Sequence, residues 1–248
     1  MRLKKGLNLT ENYSYNFSLP KRLKKEIKFI IIHYTGMKSE INALRRLTDH
    51  RSKVSAHYFI KNNGSIITLI PELYEAWHAG KSSWKSFKSL NKYSIGIEVN
   101  NPGHNNSYKN FTLKQILIVE KILKYLIKKY KIRLHNVLGH SDIAPSRKKD
   151  PGEKFPWSLL AKKKLCIWHN LNLDKIKFYR KIKLNSLEEK IFFKNLSKIG
   201  YSKTKGINSK KMKIYLIKAF QRRFRQDLIN GKVDKECYLI SKNIIISN

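Results

Sequence analysis

Lys28-Phe29-Ile30-Ile31-Ile32-His33-Tyr34 runs β-branched residues together and stops at polar Thr35 and Gly36. A short apolar run bounded in this way reads as a strand buried on both faces. The reading leaves His33 at a strand end. Downstream, Ser39 to His50 carries Ile41, Leu44 and Leu47 three apart, the spacing of one helix face. Ala56 to Lys61 and Ser65 to Ile70 then flank Asn62-Asn63-Gly64, whose Asn-Gly pair signals a hairpin and hence some antiparallel pairing.

In Ser94-Ile95-Gly96-Ile97-Glu98-Val99-Asn100 the alternation turns Ile95, Ile97 and Val99 to a core and Glu98 to the opposite face. Thr112 with Gln115 forms a capping box for a helix through Tyr130, with Leu113, Ile116, Leu117, Leu123 and Leu126 as its apolar positions. Strands and helices mix without a regular alternation. The expectation is an α/β domain with helices packed on a central mixed β-sheet.

From Asp174 to Asn185 the pattern weakens into a Lys-rich connector. Beyond it, Ser186 with Glu189 caps a helix carrying Leu187, Ile191, Phe192, Leu196 and Ile199, which stops near Gly200. Another helix from about Ser209 carries Met212, Leu216, Ala219, Phe220 and Phe224 before Asn230-Gly231 breaks it. The expected organisation is an N-terminal arm at 1–25, a main domain at 26–173, a linker at 174–185 and a small all-α domain at 186–248.

The 248 residues carry Lys+Arg 53 against Asp+Glu 17, a formal net charge of +36. Such a chain is drawn to polyanions at low salt. The lysines are nevertheless scattered among abundant Ile and Asn instead of gathering on one arm or helix, which argues against specific nucleic-acid recognition. Hydrophobic residues make up 41%, enough for a buried core, so disorder is excluded. Cys166 and Cys237 are too few and too distant for a disulfide framework or a structural zinc cluster. No apolar stretch follows the basic residues 1–25, so no signal peptide is visible, and no run reaches the length of a membrane span. That leaves a cytoplasmic location or export by an unseen leader, and a monomer is favoured.

Gly139-His140-Ser141-Asp142-Ile143-Ala144-Pro145-Ser146-Arg147-Lys148-Lys149-Asp150-Pro151-Gly152 is the chemically dense segment. Its prolines and final glycine bend the chain so that His140 and Asp150 can converge on one ion. With His33 they make two imidazoles and one carboxylate, a complete protein shell for a catalytic zinc that keeps a fourth position open. Lys148 stands one residue from Asp150, on the same face of an extended segment. An ammonium beside a metal suits a site where an oxyanion develops; in a chain this rich in lysine, a solvated surface role is the competing reading.

Five segments in order, Phe29 to Thr35, Ser55-Ala56-His57-Tyr58, Ala76-Trp77-His78-Ala79-Gly80, Ser94 to Glu98 and Gly139 to Gly152, together resemble the zinc-dependent N-acetylmuramoyl-L-alanine amidases of the amidase-2, or peptidoglycan-recognition-protein-like, superfamily, in its AmiD/AmpD-like branch. The resemblance spans about Phe29 to Trp157. It implies a mixed sheet flanked by helices, a Zn²⁺ cofactor, and hydrolysis of the amide between N-acetylmuramic acid, or its 1,6-anhydro form, and L-alanine in peptidoglycan or muropeptides. Carried over by position, it makes His33, His140 and Asp150 zinc ligands, Glu98 a proton relay and Lys148 the oxyanion stabiliser. Arg147 is expected to meet a stem carboxylate. His78 is expected at the substrate, with a core or groove role for it and His57 as the alternative. Tyr34, Trp77 and Trp84 are expected to line the sugar cleft. The tail resembles helical peptidoglycan-binding modules in Leu196 to Tyr201, Ala219 to Phe224 and Gly231 to Asp234. The rival function is a recognition protein that has lost its chemistry; against it, all five ligand and catalytic positions are filled.

Overall fold

The computed structural model describes residues 9–202 and 209–247. Six strands form the central sheet: β1 (Leu9–Glu11), β3 (Phe29–Tyr34), β4 (Tyr58–Ile60), β5 (Ile66–Thr68), β9 (Ser94–Val99) and β10 (Val137–Gly139), in the order β1-β5-β4-β9-β3-β10. Only β4 and β5 pair antiparallel, across the hairpin whose Gly64 takes a left-handed φ of 84°. The other neighbours run parallel. Two ribbons of two-residue strands lie outside this sheet, β2 (Phe17–Ser18) with β6 (Glu75–Ala76) and β7 (Ser83–Trp84) with β8 (Phe87–Lys88).

The register sets His33 opposite Glu98 and Ile32 opposite Gly139, the residue before His140. Three parallel strands thus bring their C-terminal ends together, the usual place for a site in such sheets.

The period-two alternation of β3 and β9 separates two cores. Ile30, Ile32, Ile95, Ile97 and Val99 pack against α2 (Leu113–Tyr130) through Ile116, Val119, Ile122, Leu123 and Leu126. Phe29 and Ile31 face the other way, into a core built with α6 (Ser186–Ile199), α7 (Ser209–Phe224) and α8 (Lys235–Ser247). The third core joins Ala43 and Leu47 of α1 (Glu40–Thr48) to Phe59 and Ile67. The helical tail therefore shares a core with the sheet, and the expected boundary marks a change of element type with continuous packing across it.

Three expectations are corrected. In α1 the buried residues are Ala43 and Leu47, while Ile41 is 64% exposed; in α2, Leu113 is 72% exposed and Leu117 also faces solvent. Val119 and Ile122 take their places because 3.6-residue periodicity admits more than one apolar stripe in a helix this rich in Ile and Leu. The connector holds α5 (Leu173–Lys177), whose Ile176 is buried, and Arg180 reaches Glu236 and Asp227. The N-terminal segment is no free arm: residues 1–8 lie outside the described residues, but β1 extends the sheet and buried Arg22 donates to the Ser94 and Glu72 carbonyls. Helix α8 was not foreseen. Among the described residues no helix is long and apolar enough to cross a membrane.

Candidate active site

His33 is the penultimate residue of β3, Glu98 stands beside it on β9, and His140 opens α3 (His140–Ile143) directly after β10. The turn after α3 brings Asp150 back, with the Ser141 N–H donating to the Asp150 carbonyl at 2.8 Å. His33 Nδ1, His140 Nδ1 and Asp150 Oδ2 then form a nearly equilateral triangle, with sides of 2.9, 3.0 and 3.0 Å. All three residues are buried.

Two imidazole nitrogens and a carboxylate oxygen packed this closely could hold a cation between them. A tetrahedral zinc with bonds of about 2.0–2.1 Å sets ligand-to-ligand edges of roughly 3.3 Å, so the donor set and its spacing fit that ion with minor opening. Burial, then His140, holds His33 down at about 4, a neutral imidazole able to ligate. Burial pulls Asp150 upward, but His140 and His33 outweigh it and keep the carboxylate well below its usual range.

Glu98 shows the opposite balance. Burial, reinforced by Asp150 and opposed by Lys148 and Arg46, pushes its carboxyl up to about 8, and its Oε2 is buried without a hydrogen-bond partner. Glu98, Lys148, Arg147, Tyr34 and Trp77 line one cavity of about 380 Å³ with the triad. That volume lies at the small end for ligand sites.

The remaining expected residues divide. Arg147 lines the cavity but donates through Nε and Nη2 to the Lys81 carbonyl and through Nη2 to that of Ala79. His78 has both ring nitrogens engaged, Nδ1 with His33 Nε2 at 3.0 Å and Nε2 with Ser94 Oγ at 3.1 Å. His78 lines the same cavity, so it combines a place at its wall with a bond to His33. His57 is a satisfied core residue: its Nδ1 accepts from the Gly96 N–H at 2.9 Å and its Nε2 lies 3.0 Å from the Tyr74 carbonyl. Trp84 is no cleft residue, being buried edge-on to Tyr201 with ring centres 4.9 Å apart.

A second set of residues was not anticipated. Asp142, buried two places after His140, accepts the Gly139 N–H (2.8 Å), the Tyr201 hydroxyl (2.8 Å) and Arg223 Nη1 (3.3 Å). Arg223 also donates to the Val137 carbonyl at 3.0 Å and lies 3.6 Å over the Trp157 ring. Asp142 lay inside the dense loop; nothing marks Arg223 out among the chain's many cations.

Residues 23–153 match the family described as N-acetylmuramoyl-L-alanine amidase. The chain is 34% identical over 233 residues to N-acetylmuramoyl-L-alanine amidase AmiD of Escherichia coli K12, covering 88% of this chain and 82% of that protein. The structure of E. coli AmiD in complex with the substrate anhydro-N-acetylmuramic acid-L-Ala-D-gamma-Glu-L-Lys superimposes with a TM-score of 0.78 at 32% identity, over 93% of each chain. AmpDh3 of Pseudomonas aeruginosa gives a TM-score of 0.78 at 27% identity, over 95% of this chain and 98% of that one.

Proposed function

The chain belongs to the N-acetylmuramoyl-L-alanine amidase family, and from that premise we propose that it is a zinc-dependent hydrolase. It cuts the amide between N-acetylmuramic acid, in ordinary or 1,6-anhydro form, and the L-alanine of the peptide stem. The observation that carries the reading is one small cavity lined by a triad fit for zinc, a carboxyl with one buried oxygen left unpartnered, and a lysine.

His33, His140 and Asp150 would hold the ion. When bound, zinc supplies Lewis-acid activation of water and of the scissile carbonyl. Glu98 takes the proton of the attacking water and returns it to the departing alanine nitrogen. A carboxyl whose pKa lies near the working pH suits this two-way traffic, and a cation in the triad favours its ionised form. The Lys148 ammonium faces the oxyanion that develops on the lactyl carbonyl. Arg147, anchored on the Lys81 carbonyl, orients the stem carboxylate.

Mass spectrometry of products from purified sacculi and from anhydro-muropeptides tests the reading, comparing wild type, Glu98→Ala and a chelated sample. Release of free stem peptide by wild type alone is the expected result. Equal cleavage by a zinc-loaded Glu98→Ala protein would overturn the assignment of Glu98.

A further inference from the structure

We propose that the dipeptide His78-Ala79, hung on Asn91, fixes the tautomer of both histidine ligands so that each presents an Nδ1 lone pair to the metal. The proposal rests on His33 and His140 being ligands, and makes His78, Ser94 and Asn91 positioning residues for them.

The proton inventory starts at Ser94. Its hydroxyl donates to the Leu90 carbonyl at 2.6 Å, a short bond that commits the only hydroxyl proton. The contact between Ser94 Oγ and His78 Nε2 therefore needs its proton from the ring. With Nε2–H occupied, a neutral His78 has a bare Nδ1, which accepts from His33 Nε2 at 3.0 Å. His33 then carries its single proton on Nε2, and its Nδ1 lone pair faces His140 and Asp150. The opposite arrangement requires an imidazolium at His78, a buried ring with no carboxylate among its hydrogen-bond partners.

The next residue does the same for the second ligand by simpler means. A backbone carbonyl can only accept, so the 3.1 Å contact between the Ala79 carbonyl and His140 Nε2 puts that ring's proton on Nε2. His140 Nδ1 is left bare toward the triad. Both halves of the device hang from one side chain, since Asn91 Oδ1 accepts the N–H groups of His78 (3.2 Å) and Ala79 (2.7 Å). The position also explains Gly96, where an added Cβ would stand 2.4 Å from His78 Cγ.

Long-range ¹H–¹⁵N NMR of the zinc-loaded protein, labelled with ¹⁵N-histidine and assigned with single-histidine variants, reads which nitrogen of each ring keeps its proton and which binds the metal. Protonated Nε2 and zinc-bound Nδ1 in both His33 and His140 are expected; zinc on Nε2 of either ring overturns the proposal. Zinc affinity, measured by competition with a chelating dye on folded proteins, supplies the second test. His78→Leu should weaken binding about 10- to 100-fold, the usual cost of losing such a partner. His78→Asn, which keeps an acceptor near the Nδ1 position, should recover most of that loss. Wild-type affinity in His78→Leu, or no recovery in His78→Asn, refutes the relay, and the NMR result on wild type decides if either variant fails to fold. Failure of wild type to bind zinc would instead refute the ligand assignment.

Discussion

His33 and His140 present the same atom to the same point, yet they are held by different parts of the molecule. His33 stands on a strand paired on both sides, with its outer nitrogen tied into neighbouring loops through His78. His140 opens a four-residue helix, and the turn around it is fastened from outside by Arg223 of α7 and by Tyr201, both acting on Asp142. The first support is part of the sheet. The second is delivered by chain that begins beyond α6 and would be absent from a protein ending at the linker. One histidine is thus held within the sheet and its adjoining loops, while the turn that carries the other also bonds to the helical tail.

The sharpest break falls at the strand side. Glu98→Gln should keep zinc and the fold but lower the cleavage rate about 10²- to 10⁴-fold, the range for loss of a general acid–base group. Muropeptide turnover alongside zinc content checks it, and a small loss would move the proton relay elsewhere. On the loop side, Arg223→Met leaves Asp142 buried without its charge partner. Breaking such a pair costs about 3–5 kcal/mol, read by chemical denaturation, and zinc affinity should fall with it. Loss of stability with unchanged zinc affinity would mean the tail supports the fold and not the His140 turn.

A third comparison uses pH on the metal-free protein. Glu98 titrates at about 8 when folded against an ordinary 4.5. Below pH 4.5 both states hold the proton and nothing is lost. Between about 4.5 and 8 the unfolded chain releases it while the folded chain does not, so stability falls as pH rises. Glu98→Gln should therefore gain on wild type by a few kcal/mol across that window, at about 1.4 kcal/mol per pH unit. A pH-independent difference would show the carboxyl to be solvated. The smallest effect is expected from Tyr201→Phe, which removes one hydrogen bond to Asp142 for about 1 kcal/mol, measured by denaturation.

Much of this was legible in the chain itself. The run Phe29 to Tyr34, the Asn-Gly hairpin and the alternation around Glu98 announce strands by local period, and the dense loop announces its chemistry by residue type. Helix faces were less legible, because Ile41, Leu113 and Leu117 satisfy a helical period as well as the residues that are buried. His78 shows the limit most plainly. Its motif marks it as functional, but a contact with substrate and a contact with His33 are written identically in sequence.

The sequence by itself determined the donor residues, the elements that carry them and the family to which they belong. Tertiary structure alone decided that donors 107 and 117 residues apart meet at 2.9 and 3.0 Å, which nitrogen of each ring faces that meeting point, and that Arg223 and Tyr201 reach the loop carrying His140. The physical reason is range. Periodicity and turn chemistry act over a few residues, whereas strand register, buried hydrogen-bond direction and the partnering of a desolvated carboxylate exist only once distant segments have packed.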